Sequence, residues 1–259
     1  MIIKNSHLDL EQIDQSDQCF RWSREPDGSY CIPAYGRVLR ARQLSPDTVV
    51  FDCTDADWQN IWAEYFDMET DYAAIAESID TTDMYLRAAA ASGYGIRILR
   101  QPLWETIVSF IVSQNNNIPR IRLTMARLCG ESADCPAPQH IAGMSDAELR
   151  KIGLGYRADY LLQAAAAFSS EAELECLTGM PYAEAREYLT SLRGIGPKVA
   201  DCICLFGLHH TEAFPVDTWV RRIEAAHYAG HFPTQLYPGV QGIMQQWMFA
   251  YERFLALHR

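Results

Sequence analysis

Leu192-Arg193-Gly194-Ile195-Gly196-Pro197-Lys198-Val199-Ala200-Asp201 (LRGIGPKVAD) is the stretch whose reading decides the fold. A helix running to Arg193 meets two glycines one residue apart, both free to take positive φ. Pro197 then presets the φ of the first residue of the next helix. This spacing predicts a helix–hairpin–helix. Such a turn leaves backbone N–H groups unobstructed at a helix N-terminus, where the dipole favours an anion. Gly194 and Gly196 are therefore candidate contacts to a phosphate. Gly-X-Gly alone would fit any corner between helices; Leu192, Pro197-Lys198 and Ala200-Asp201 favour the hairpin.

Lys198 falls in the first turn of the second helix, where a cation opposes the dipole and adds no stability. The same position helps to keep an amine neutral, which is its nucleophilic form. Cys202 follows one turn later on the same face. A plainer role for Lys198 is a point charge on a phosphate. Further on, Phe214-Pro215-Val216-Asp217 leads into another helical stretch. Asp217 reads as its N-cap, and a carboxylate fixed in that way can also stabilise positive charge developing on a sugar.

Outward from this segment, the chain divides by periodicity. Residues 29–35, 37–44 and 48–53 carry β-branched and aromatic runs separated by turn formers, and 57–66 has helical spacing of its aromatics. From Thr82 the β pattern stops. Helices are predicted over 84–91, 102–113, 119–128, 146–151, 156–168, 182–192, 197–206, 218–229 and 240–257. The expected class is α+β: an antiparallel sheet domain with a few helices over 1–86, then an all-helical region over 87–259.

Composition narrows the function. The 259 residues are 49% hydrophobic and 21% charged, within the globular range. No apolar run approaches the ~18 residues needed to cross a bilayer, and the N-terminus lacks a targeting pattern. A cytoplasmic location, bacterial and beside the nucleoid, is the expectation. The net charge of −11 argues at first against a polyanion partner. Ten acids and no Lys or Arg lie between Asp52 and Asp83, however, and the other 23 acids nearly balance the 22 bases. That stretch reads as a local solvated face. Eight cysteines show no metal-ligand spacing, and none follows Cys204. They read as reduced, mostly buried thiols, and an iron–sulfur cluster is not expected. His209-His210 reads as exposed loop.

These motifs resemble the HhH-GPD superfamily of base-excision DNA glycosylases, and within it the 8-oxoguanine branch with linked AP-lyase activity. The hairpin, Lys198 and Pro215-Val216-Asp217 carry the resemblance. So do Gln18-Cys19-Phe20-Arg21-Trp22, Ser109-Phe110-Ile111 leading into Asn115-Asn116-Asn117-Ile118, Gly153-Leu154-Gly155-Tyr156-Arg157-Ala158, and Gln245-Gln246-Trp247-Met248-Phe249. The resemblance implies double-stranded DNA containing 8-oxoguanine as partner and a monomeric enzyme. Lys198 would attack C1′ of the damaged nucleotide and Asp217 would be the essential carboxylate. Asn115 would fill the gap left by the everted nucleotide, Tyr156 would wedge beside it, and Arg120 and Arg157 would hydrogen-bond the orphaned cytosine. Gln245 would read the lesion's Watson–Crick edge, with Phe249 and Cys202 sandwiching its ring. No cofactor is required, although carbonyls near Thr190, Leu192 and Ile195 could hold a structural cation at the hairpin.

Two positions depart from the family pattern. Asp17 stands where a glycine carbonyl usually accepts the N7–H of 8-oxoguanine; its own carboxylate could accept that hydrogen. Trp219 stands where a phosphate-contacting histidine is common. The rival readings are a glycosylase of this fold for another damaged base, and a non-catalytic helix–hairpin–helix module that only grips DNA.

Overall fold

A computed structural model describes residues 1–257. Five antiparallel strands form one sheet in the order β1-β5-β4-β3-β2: β1 Ile2–Lys4, β2 Ser23–Arg24, β3 Tyr30–Ala34, β4 Arg37–Ser45 and β5 Thr48–Phe51. Tyr35 and Gly36, with φ of 51° and 70°, join β3 to β4 in the two-residue turn that suits the twist of paired strands. The register sets Tyr30 opposite Ala41 and Ala41 opposite Phe51. Tyr30, Ile32, Leu39, Ala41, Val49 and Phe51 thus share one buried face. Trp58, Trp62, Phe66, Leu8, Leu10 and Ile13 cover it as a first core.

No strand follows Phe51 among the described residues, and the α+β expectation holds. Two short strands, β1 and β2, are not apparent in the sequence, because two or three residues cannot display a period. The helices Leu10–Gln15, Tyr72–Glu77 and Pro138–Ala142, of five or six residues, escape for a similar reason, and Glu171–Thr178 was not anticipated either. The helix expected over 57–66 is broken instead into Asp55–Asp57, a π-turn Trp58–Trp62 and Ala63–Tyr65. Both tryptophans are buried there. Among the described residues no helix is long and apolar enough to cross a membrane.

The second core surrounds Leu103–Ser113, which is buried along almost its whole length. The Ile118–Cys129, Arg157–Ala167 and Pro197–Phe206 helices pack on it. A bridging segment, 97–101, ties the two cores. Gln18, fully buried, accepts from the Leu99 N–H at 2.8 Å and donates to the Arg97 carbonyl at 2.9 Å, while Gln101 donates to the Gln18 carbonyl at 2.7 Å. Arg97 is itself buried, and its guanidinium donates to the carbonyls of His7, Phe66, Asp67 and Thr70. The Gln246 amide donates to the Ser16 carbonyl. The 16–18 loop is thereby fixed against the helical region, with Asp17 held between.

Three expectations about side chains need correction. Asp67 does not belong to a solvated face: it is 1% exposed, accepting from Thr70 and Tyr72 beside Arg100 and His209. Burial alone would raise its carboxyl, but His209 and the two hydroxyls hold it below the usual range. His209 and His210 are not exposed either. The first faces Asp67 at 3.4 Å and the second meets the Met180 carbonyl at 3.1 Å. Of the eight thiols, only Cys19, Cys129, Cys202 and Cys204 are fully buried, and all eight are free.

Candidate active site

The hairpin is present where the sequence placed it. Tyr182–Ser191 ends at Leu192, and Pro197–Phe206 begins after Gly196. Asp201 locks the two helices, accepting from the Tyr182 hydroxyl at 2.9 Å and the Arg186 guanidinium at 2.6 Å. Positive φ is confined to Gly194, at +88°; Gly196 caps the second helix at −85°, so only one of the two glycines uses left-handed freedom. A Cβ on Gly194 would stand 2.2 Å from Cγ of Tyr160, whereas one on Gly196 would meet nothing within 4 Å. Open space at Gly196 suits close approach by an outside partner. Gly194→Ala is therefore expected to destabilise the fold by roughly 2–4 kcal/mol through strain and overlap. Gly196→Ala should stay within about 0.5 kcal/mol of the wild type. Thermal melts of the two variants check this; equal losses would refute it.

One turn into the second helix, Lys198 opens onto a cleft it shares with Asp217, Cys202, Gln245, Phe249 and Asp17. All six were expected at one site. The Lys198 amine lies 5.5 Å from the centre of the Phe110 ring. Burial pushes the Cys202 thiol up, while the amine, hydrogen-bonded to it, pulls the other way. The sulfur therefore faces the cleft as a neutral, polarisable surface. Asp217 caps Thr218–His227: its Oδ1 accepts from the N–H groups of Trp219 at 2.9 Å and Val220 at 2.8 Å. Oδ2 takes no part in that cap. On Gln241–Leu257, Gln245 and Phe249 stand one turn apart. Gln245 is 5% exposed and its Oε1 is buried without a hydrogen-bond partner among the described residues. A buried amide with an empty acceptor is costly unless a ligand completes it.

The cleft widens into a groove of about 680 Å³ that runs past Asn115 and Trp219. Asn115 sits at φ +47° and is exposed; its amide donates to the Tyr156 hydroxyl at 3.3 Å. Tyr156 is also exposed, at 44%. These two form a protruding rim. Arg120, also exposed, follows on the first turn of Ile118–Cys129. Arg157 departs from its expected posture. It is 4% exposed and turned inward, donating to the carbonyls of Gln114, Asn115 and Leu154 with its guanidinium 4.6 Å from the Tyr156 ring. It holds the rim loop in place and does not offer a free donor fork to the groove.

Sequence reasoning missed three contributors. Phe110 was seen within a motif but not as the ring beside Lys198. Gln114 donates to the Gly194 carbonyl at 2.8 Å and so couples the rim to the hairpin. Arg253, ion-paired with Asp17 and 5.7 Å from the Phe249 ring, lies one turn beyond Phe249, and that spacing was its only signal. Asp17 takes φ +60°, the backbone region in which glycine is at ease and Asp is tolerated, which accounts for a glycine at this place in the family pattern. Trp219 is half-buried in the groove, and Arg222 lies 5.7 Å from its ring.

Two family models tile most of the chain: the 8-oxoguanine DNA glycosylase N-terminal domain matches residues 1–107, and the HhH-GPD superfamily base excision DNA repair protein matches residues 108–235. Among solved structures, MBOgg1 in complex with a low-affinity DNA ligand superposes with a TM-score of 0.91 at 36% identity, covering 98% of this chain and 96% of that one. The Clostridium acetobutylicum 8-oxoguanine glycosylase/lyase, bound to double-stranded DNA with cytosine opposite 8-oxoG, gives 0.87 at 30% identity over 96% and 93%. The N-glycosylase/DNA lyase of Saccharomyces cerevisiae is 29% identical over 88% of this chain and 70% of its own length. Matched across both cores and around the cleft, the chain belongs to the 8-oxoguanine DNA glycosylase family of the HhH-GPD superfamily.

Proposed function

We propose that this protein is a bifunctional DNA glycosylase that removes 8-oxoguanine opposite cytosine and then nicks the strand as an AP lyase. The observation carrying the reading is the cleft itself: one amine, one helix-capping carboxylate and one buried amide oxygen with no partner among the described residues, with an aromatic ring and a thiol in the same lining. Those are the parts that base release through a covalent amine requires.

The target nucleotide leaves the stack at a cost of a few kcal/mol. Asn115 and Tyr156, protruding beside the groove, are suited to fill the gap. Arg120 is the exposed donor for the cytosine edge; Arg157 acts through the loop it holds, as a positioning residue. The slot that Phe249 and Cys202 line together with Lys198, Asp217 and Gln245 encloses about 50 Å³. That is well below the roughly 300 Å³ at which small-molecule pockets begin, so an entering purine has to part them. Gln245 Oε1 then gains the donor it lacks.

Lys198 Nζ, in its neutral form, attacks C1′ as the C1′–N9 bond breaks, and the base departs with a proton. The deoxyribose ring opens to an imine on Lys198. Loss of a C2′ proton then breaks the C3′–O bond and nicks the strand. Asp217 stabilises the positive charge that develops on the sugar. At the hairpin, carbonyls of Thr190, Leu192 and Ile195 are the oxygen donors a hard cation takes. Leu192 already accepts from the Ile195 N–H and keeps one lone pair. A cation there would draw in a backbone phosphate, and no chemical step passes through it. Arg221, lining the groove, and Arg222, against Trp219, supply charge on the side where Trp219 carries none.

Borohydride trapping on an 8-oxoguanine:cytosine duplex tests the reading. A covalent protein–DNA adduct is expected with that duplex and not with an undamaged one. Its absence would remove the lyase assignment. Equal processing opposite all four bases would remove the role given to Arg120.

A further inference from the structure

The mechanism above leaves unused the ion pair between Asp17 and Arg253, although it stands on the wall of the cleft. Asp17 lines both the slot and the groove, and Arg253 lines the groove beside it. Their side chains are 13% and 29% exposed. Gln245, Phe249 and Arg253 fall at i, i+4 and i+8 on one helical face. Eight residues give about 12 Å of axial rise. That is the span of a purine with a hydrogen bond at either end. A ring lying on Phe249 with its pairing edge toward Gln245 would turn its imidazole edge toward Asp17 and Arg253.

We propose that Asp17 and Arg253 together read the N7–H and C8=O edge of 8-oxoguanine, the carboxylate accepting from N7–H and the guanidinium donating to O8. This rests on the substrate reading above. An ionised carboxylate only accepts and a guanidinium only donates, so the pair presents an acceptor beside a donor. The lesion presents the complementary order, a donor beside an acceptor. Guanine fails at both positions: its N7 lone pair faces the carboxylate, and its C8–H leaves the guanidinium without an acceptor. Each partner has capacity to spare, since the carboxylate has about four acceptor sites and the guanidinium five N–H groups.

The pair is not needed as a strut. The 16–18 loop is already held by Gln246 on the Ser16 carbonyl and by the Gln18 bonds to 97–101. Arg253 is also oriented by the Phe249 ring, the same ring that would carry the base. Asp17 meanwhile keeps a backbone conformation that glycine would hold more easily, and it does so on the wall of the cleft.

Arg253→Met, Arg253→Lys and Asp17→Asn, compared with the wild type in single-turnover assays, test the proposal. The substrates are an 8-oxoguanine:cytosine duplex, the same duplex with guanine, and one with a preformed abasic site, which has no base to read. Arg253→Met is expected to slow 8-oxoguanine release by about 10–100-fold, in the range for a lost charged hydrogen bond. Abasic-site nicking should change by less than about threefold, the scatter of a neutral substitution. Arg253→Lys, which keeps a donor, should recover part of the loss. Asp17→Asn offers an N–H to guanine N7 and should lower the preference for 8-oxoguanine over guanine at least about tenfold. If Arg253→Met slows release and abasic nicking together, the pair is a strut. If it slows neither, the edge reading falls while the substrate assignment stands. A wild type inactive on 8-oxoguanine would bring down the substrate assignment first, and this role with it.

Discussion

Lys198→Gln is expected to abolish the borohydride-trapped adduct and to slow both base release and strand nicking by at least about 10⁴-fold, the scale seen when a covalent nucleophile is removed. Binding should survive. Gln keeps most of the length, fills the same space beside the Phe110 ring and leaves the Asp201 clamp on the two hairpin helices untouched. The lost charge costs one electrostatic contact at most, so affinity for the lesion duplex should fall by less than about tenfold. Adduct and affinity therefore separate two roles that the sequence left open. If Lys198 only met a phosphate, the salt dependence of binding would weaken and chemistry would follow in proportion. If trapping persists in Lys198→Gln, another amine is the nucleophile and the cleft has been misread.

The elements legible in the sequence were those set by neighbours a few residues apart. Gly194 and Pro197 determine the hairpin by their own backbone limits, and Asp217 marks a helix start through bonds to residues two and three ahead. Gln245 and Phe249, like Lys198 and Cys202, share a face because a helix repeats every 3.6 residues. What the sequence hid depends on contacts across the chain. Arg253 meets Asp17 from the opposite end, and nothing in either neighbourhood indicates the other. Arg157 was expected to face the orphaned cytosine on the strength of the resemblance alone; the carbonyls of Gln114 and Asn115, more than forty residues earlier, turn it inward. Asp67 sits in a run of acids and looks solvated, yet the fold buries it against His209 from the helical region. Short strands and one-turn helices fail for a different reason, since a pattern needs several repeats before it can be told from chance.

Asp217→Asn and Asp217→Ala separate capping from catalysis at the second essential position. Both cap bonds fall on Oδ1, and an asparagine carbonyl accepts them in the same way. The amide gives up only the favourable charge at the helix N-terminus, worth about 0.3–1 kcal/mol. Asp217→Ala orphans the Trp219 and Val220 N–H groups and should cost about 1–2 kcal/mol. At roughly 2–4 °C per kcal/mol, the Ala variant should melt measurably lower than the Asn variant. Catalysis should order them differently. Neither substitute carries the negative charge that faces the developing sugar cation, so both should lose about 10²–10³-fold in single-turnover base release. Activity thus follows charge while stability follows the cap, a pattern that no purely structural carboxylate produces. An Asn variant that melts like the wild type and also releases base at the wild-type rate would reduce Asp217 to a helix cap, and the positive charge on the sugar would then need another partner in the cleft.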